Sequence, residues 1–290
     1  MKKHRPARPA GKSKIRNCVI ISDQHFGCRF GLCPPGGARL DDGGRYTPSA
    51  LQRVVWDWWR EFWEEFVPQA TNGEPYLVVN NGDVIDGCHH HSTTQISHNI
   101  ADQKALAVAV LRDVVQRCEG RYYHVRGTEA HVGQSAVYEE EVAEQLGARP
   151  NQFGQHARWE LWLNLCGHLI HFLHHIGTTG SSHHEASAVN AELAHEFTEA
   201  ARYGERIPSV VVRSHRHRCI EVRLPIKGGW GSSIVTPAWQ LKTPFVYRIP
   251  GARLAPPQIG GIVTRVHADT GEIFNRAWVR HIARAGVVEV

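Results

Sequence analysis

Five short polar clusters in this sequence carry side chains able to hold metal ions. ISDQHFG places Asp23 and His25 two residues apart, NNGDVIDG puts Asp83 behind a glycine with Asp86 three residues on, and RGTEAH carries Glu129 and His131. FLHHIG follows with His174 and His175, and RSHRHR with His215 and His217. In an extended segment, side chains two residues apart project to one side, so Asp23 and His25 are expected to reach one ion together. Carboxylate oxygens mixed with imidazole nitrogens suit Mn, Fe, Zn or Ni, whereas Ca or Mg would call for an all-oxygen cage. A lone DxH or HxH is usually incidental, but five such clusters in order are hard to explain by accident. The chain holds 20 histidines, and the groups at 89–91 and 183–184 are read as solvated loop residues rather than ligands.

What could bring five distant clusters together is the pattern that precedes each one. Residues 17–22, 76–80, 122–126, 169–174 and 210–213 are short, apolar, β-branched runs of the kind that form buried parallel strands. Helical periodicity covers 48–66, 101–118, 137–146 and 186–201, with Thr47-Pro48 as an N-cap and first-turn pair and Gly147 and Gly204 as stops. Toward the C-terminus, 218–224, 234–236, 261–267 and 272–280 read as strands joined by turns, the last two across Asp269-Thr270-Gly271, and 159–165 pairs with the run after Gly167. Strands alternating with helices make an α/β fold, here two mixed sheets flanked by helices. In open α/β sheets, ligands collect outside the carboxyl ends of the strands, which is where all five clusters fall. Trp56, Trp58, Trp59 and Trp63 spread over more than one stripe of the first helix, so that helix is expected to be buried on two sides.

Composition bounds the remaining choices. With 290 residues, 42% of them apolar, the chain can bury a sizeable core, and a single domain over 17–290 behind a disordered basic arm at 1–16 is expected. The longest apolar run, 105–111, is far short of the roughly 20 residues needed to span a bilayer, so no membrane partner is expected. The N-terminus lacks the apolar stretch of a secretory signal. Its first 16 residues hold seven basic side chains and no acid, leaving 26 basic against 28 acidic residues in the body. A DNA or RNA partner would therefore be held by the arm or by local arginines, the plainer reading of the arm being a solubilising tail. Seven cysteines without a CxxC pair argue against a disulfide framework and fit a reducing cytoplasm.

The ordered clusters resemble the blocks of the calcineurin-like metallophosphoesterases: DxH as DQH at 23–25, GDxxD as GDVID at 82–86, GNH(D/E) as GTEAH at 127–131, a histidine after a strand at 174–175, and GHxH as SHRH at 214–217. GTEAH together with TPAWQLKTPF at 236–245 is similar to a phage or prophage-associated branch. The resemblance implies a four-layer α/β/β/α sandwich and two divalent transition-metal ions, manganese first and Fe, Zn or Ni as alternatives. By the same carry-over Asp23, His25 and His217 would bind one ion, Asp83 would bridge, His174 and His215 would bind the other, and a hydroxide between the ions would attack phosphorus in line.

The sequence departs from the family in one block. Thr128 and Glu129 stand where the Asn-His pair is expected, so either Glu129 supplies a carboxylate to the second ion or Thr128 holds that position. His131 is then the candidate general acid or phosphate ligand. The alternative is a decayed site. Neighbours on a strand point to opposite faces, so at most one of His174 and His175 ligates, with His174 preferred. Asp86, Thr128, His175 and Arg45 are expected on the substrate side, Arg45 from a Gly/Pro-rich loop at 28–46 that also offers Arg29 and Arg39 to a phosphate. The expected activity is hydrolysis of a nucleic-acid or nucleotide phosphodiester. Its rivals are a phosphomonoesterase, a small-nucleotide phosphodiesterase, or a non-catalytic metal-stabilised nucleic-acid-binding scaffold.

Overall fold

Cys18 and Ile20 face one way from the first strand, Val19 and Ile21 the other, and all four are fully buried. A strand covered on both faces needs a layer on each side, and the computed structural model supplies them; it describes residues 15–89, 91–177, 182–226, 229–249 and 255–282. The strands are β1 (Asn17–Ile21), β2 (Ala38–Arg39), β3 (Arg45–Tyr46), β4 (Tyr76–Asn81), β5 (Tyr122–Val125), β6 (Ala157–Arg158), β7 (Leu161–Leu165), β8 (His168–Phe172), β9 (Val210–Arg213), β10 (Ile220–Ile226), β11 (Gly229–Val235), β12 (Ile259–Val266) and β13 (Ile273–Arg280). The helices are α1 (Ala50–Glu61), α2 (Val67–Thr71), α3 (Ile100–Arg117), α4 (Glu129–Val132), α5 (Val137–Gln145) and α6 (Glu185–Tyr203).

Six strands form one mixed sheet in the order β13-β12-β1-β4-β5-β6, and five form a second in the order β10-β11-β9-β8-β7. Within the first sheet β1, β4, β5 and β6 run parallel; in the second, β8, β9 and β11 do. The sheets pack face to face through Cys18, Ile20, Leu77 and Val79 on one side and Leu165, Ile170, Phe172 and Val212 on the other. The outer face of the first sheet is covered by α1, α3 and α5, that of the second by α6, whose Val189 packs on Ile176 and Val235. The order of layers is helix, sheet, sheet, helix, the mixed α/β sandwich expected. Ile15 already packs into the inter-sheet core and Val266 donates its N–H to the Arg16 carbonyl, so the fold takes in two residues assigned to the arm; residues 1–14 lie outside the described region.

Several local expectations change. The first helix is capped by Ser49, whose hydroxyl accepts from the Gln52 N–H while the Gln52 side chain accepts from the Ser49 N–H, in place of a cap at Thr47. A π-helical turn at Phe62–Phe66 links α1 to α2, and the extra residue in that turn brings Phe62, Trp63 and Phe66 inward together. Trp59 and Trp63 are buried against Phe62 and Trp239, whereas Trp56 and Trp58 are half-buried and Leu51 is exposed, so the helix is buried along one broad face rather than on two sides. The loop at 28–46 contains the β2–β3 hairpin and buries Leu32, Cys33 and Ala38, held by the Gln52 amide donating to the Cys28 and Gly31 carbonyls. Among the described residues no helix is long and apolar enough to cross a membrane. The seven cysteines are free thiols.

Candidate metal centre

Because β1, β4 and β5 are parallel in one sheet and β8 and β9 in the other, their carboxyl ends and the loops that follow share one edge of the sandwich. The clusters meet there, but not as strand neighbours. Asp23, His25, Asp83, His215 and His217 lie beyond their strands with left-handed backbones, φ between 46° and 71°. Non-glycine residues rarely adopt that conformation, and such positions concentrate where surrounding structure holds a functional geometry. The loops are zipped together: the Asp23 N–H donates to the Gly82 carbonyl at 2.9 Å, the His25 N–H to Asp83, and the Trp239 N–H to Asp23. Two glycines make room for Asp83 and His174. A Cβ on Gly127 would sit 2.1 Å from Asp83 Oδ1, and one on Gly82 would sit 2.6 Å from His174 Nδ1.

Two groups of potential ligand atoms result, Asp23 with His25 and His217, and Asp83 with His174 and His215, with all atoms of a group within 4.8 Å of one another. His217 Nε2 is 3.3 Å from Asp23 Oδ1 and 3.3 Å from His25 Nε2. His174 Nε2 is 2.9 Å from Asp83 Oδ2, and His215 Nδ1 is 3.8 Å from the same oxygen. Asp83 also groups with His25 and His131, which joins the two sets.

The donor set fits divalent cations. Asp23 is fully buried, and neither of its carboxylate oxygens has a hydrogen-bond partner. The ion-pair partners of Asp23, Asp83 and Asp86 are histidines. Burying carboxylates costs several kcal/mol each unless positive charge is brought to them. Burial alone would raise Asp83, but the His174 charge, followed by His131, outweighs it and holds its carboxyl well below the usual range. Burial likewise disfavours the His174 imidazolium, yet the Asp83 and Asp23 carboxylates push that group up to about 10. The pocket thus draws positive charge onto a nitrogen that also faces both aspartates. Mixed oxygen and nitrogen donors of this kind suit Mn, Fe, Zn or Ni.

The RGTEAH block settles differently from the expectation for Glu129. Thr128, not Glu129, meets the centre: its N–H donates to Asp83 Oδ1 at 2.8 Å and its hydroxyl lies 3.2 Å from both carboxylate oxygens. The chain turns into α4 directly after Thr128, so Glu129, first residue of that helix, is exposed and belongs to none of the ligand groups. His131, one helical step further, returns to the pocket, its ring 4.5 Å from that of His25. Its Nδ1 lies 2.6 Å from the Asp86 carbonyl, which can only accept, so Nδ1 carries the proton and Nε2 is left for chemistry. Burial pushes the His131 imidazole down to about 4.

The other candidates separate as well. His174 is buried in the centre, with Nδ1 2.6 Å from the Asn81 carbonyl; His175 is exposed and only stacks obliquely on His215, ring centres 4.9 Å apart. Asp86 is buried and receives the Gln95 amide at 2.7 Å, with His25 Nδ1 3.4 Å away. Arg45 does not reach the site: it is exposed on β3, cross-strand from Arg39, because the hairpin turns that edge of the loop to solvent. Arg29 is exposed too. Of the histidines read as loop residues, His89 and His91 line the cavity above the centre, and His89 groups with Asp86 and His131. His90 lies outside the described residues, and His183 and His184 are exposed away from the centre.

One residue that the sequence reading passed over lies beneath the centre. Glu139 on α5 is fully buried and accepts the Val84 N–H at 2.9 Å and the Gly127 N–H at 2.6 Å, tying the Asp83 loop to the Thr128 loop. Its only signal in the sequence is the acidic run 139–141 on a helix, which reads as solvated surface.

No family model matches the chain, and no curated protein matches it in sequence. Solved structures similar to it include wild-type Vps29 complexed with zinc from Entamoeba histolytica, at 10% identity and a TM-score of 0.39, covering 91% of this chain and 98% of that one. A predicted phosphoesterase from Streptococcus pneumoniae stands at 10% identity and a TM-score of 0.33 over 91% and 98%. A metallophosphoesterase from Sphaerobacter thermophilus stands at 11% identity and a TM-score of 0.37 over 90% and 88%. At this distance, what the site can do rests on its own residues.

Proposed function

We propose that the chain is a dinuclear, metal-dependent phosphoesterase of the calcineurin-like type that hydrolyses a phosphodiester of a nucleic acid or nucleotide. The observation that carries this reading is Asp83, a buried carboxylate within reach of both ligand groups at the bottom of an open cavity. Asp23, His25 and His217 would hold one cation, His174 and His215 the other, and Asp83 would be shared. A pair of divalent ions there, manganese by preference, supplies positive charge to phosphoryl oxygens and lowers the pKa of water. Thr128 keeps the Asp83 carboxylate oriented through two donors. His131, anchored through Nδ1 to the Asp86 carbonyl, offers the Nε2 lone pair to accept a proton. The basic residues ahead of Ile15 would add charge contacts to a nucleic-acid backbone, and a reducing, cytoplasmic setting suits seven free thiols.

Turnover of bis-p-nitrophenyl phosphate beside p-nitrophenyl phosphate, across Mn, Ni, Zn and Mg, tests the reading. Metal-dependent hydrolysis with the diester preferred is expected. Preference for the monoester overturns the diesterase assignment, and no turnover with any metal overturns the enzyme.

A further inference from the structure

The metal centre forms one wall of a cavity of about 750 Å³, and the opposite wall is built differently. There Leu241, Phe245, Val246 and Ile249 alternate with Lys242 and Arg248 in a segment that contains no acid. The segment is anchored at its start: Trp239 is buried, and the Leu241 N–H donates to the Phe30 carbonyl at 2.7 Å. It then rises through a 3₁₀ turn, Val246–Arg248, leaving Phe245, on the cavity wall, 47% exposed and Tyr247, next to the lining residues Val246 and Arg248 in the chain, 62% exposed. The Lys242 ammonium lies 4.2 Å over the Tyr247 ring. Arg216 and Arg218 continue the cationic wall, and Glu185, the acid among the lining residues on that side, is taken up by Arg218 at 2.9 Å. Aromatic faces interleaved with cations are the recognition chemistry of an unpaired nucleotide, whose base stacks while its phosphate is neutralised.

We infer that segment 241–249 is a stacking wall for single-stranded nucleic acid, which lays an unpaired base against Phe245 in the cavity, with exposed Tyr247 as the ring for a neighbouring base, while the adjoining phosphodiester reaches the metal centre. This rests on the phosphoesterase reading for the fate of the phosphate, but not for the binding itself. A cavity of this volume has room for a nucleotide-sized group. Duplex DNA keeps its bases stacked and presents grooves and phosphates, for which a protein shows a broad basic face; this body, with 26 basic and 28 acidic residues outside the arm, is not broadly basic. A single strand can instead offer a base face to a ring.

The test is fluorescence anisotropy of the full-length protein with a phosphorothioate-protected thymidine oligomer of about a dozen nucleotides, beside the same length as duplex and as abasic strand. The thymidine strand is expected to bind tighter than both, and Phe245→Ala/Tyr247→Ala to weaken it about tenfold with little change for the abasic strand. Tyr247→Trp, which keeps a stacking face, should restore affinity, and Phe153→Ala, a ring 78% exposed elsewhere, should change nothing. Lys242→Gln/Arg248→Gln should flatten the salt dependence, since each phosphate contact adds about 0.7 to its slope for single strands. Equal affinity for thymidine and abasic strands, or a preference for duplex, overturns the stacking wall. Ring-dependent binding without turnover of the chromogenic diester upholds the wall and sinks the phosphoesterase, whereas turnover without ring-dependent binding sinks the wall alone.

Discussion

The two sheets contribute unequal halves to the candidate metal centre. The first sheet supplies the carboxylates Asp23, Asp83 and Asp86 from loops that are buried, hydrogen-bonded to one another and pinned from below by Glu139. The second supplies imidazoles, of which His215 and His217 are 35% and 18% exposed; buried His174 is steadied by a carbonyl of the opposite half. The second half is tied to the first by short polar links, the Asn81 amide donating to Ser214 Oγ and Thr236 Oγ1 lying 2.7 Å from both Ser22 and Ser214. Negative charge is the costly part to bury, so it sits where backbone geometry is over-determined, and the softer imidazoles close over it. Damage to the carboxylate half should therefore reach folding and metal binding together, while damage to the exposed imidazoles should reach metal binding alone.

The sharpest way to break this contrast is Asp83→Asn, which removes charge from the position shared by both groups. Hydrolysis should fall on the order of 10³-fold or more, the scale of losing several kcal/mol of charge stabilisation, and metal analysis should find less bound ion. Two retained ions at the wild-type rate would end the shared-ligand model. Next in size is the pair Glu139→Ala and His215→Ala. The first strands two buried N–H groups at about 1–3 kcal/mol each, so its melting temperature should drop by several degrees along with metal affinity. The second should lose metal affinity at an unchanged metal-free melting temperature; equal melting shifts in the two variants would erase the difference between the halves.

Smaller again is Thr128→Ala, which takes one of two donors from Asp83 and should cost about 10- to 100-fold in metal affinity, the usual worth of a group that orients a ligand. Thr128→Ser should recover most of it, and a silent Thr128→Ala would mean the backbone N–H suffices. The smallest effect is expected from Glu129→Ala: an exposed side chain outside every ligand group should leave metal content and turnover within about twofold, as most surface substitutions do. Loss of one metal equivalent there would restore Glu129 as a ligand and displace Thr128.

Much of this was legible in the residues themselves, because it depends on local periodicity. Runs such as Val19-Ile20-Ile21 and Val210-Val211-Val212 are apolar at every position, which only a strand covered on both faces can use, and the polar clusters behind them fall at strand ends by chain order alone. The α/β class and the two sheets follow from that, as does the placing of the polar clusters beyond strand ends. What tertiary structure decided is where backbone conformation or distant contacts set a side chain's direction. Asp23 and His25 converge through left-handed turns rather than strand alternation. Thr128 and Glu129 differ only in which side of a helix start they occupy. Arg45 is turned away by a hairpin hidden in a Gly/Pro-rich loop, and the first helix is re-registered by a π turn. Glu139 is tied to Val84 across 55 positions of sequence. A short-range pattern records which residues want burial, but the aim of a polar side chain beyond a strand end is fixed by partners far along the chain, and those exist only once the sheets have packed.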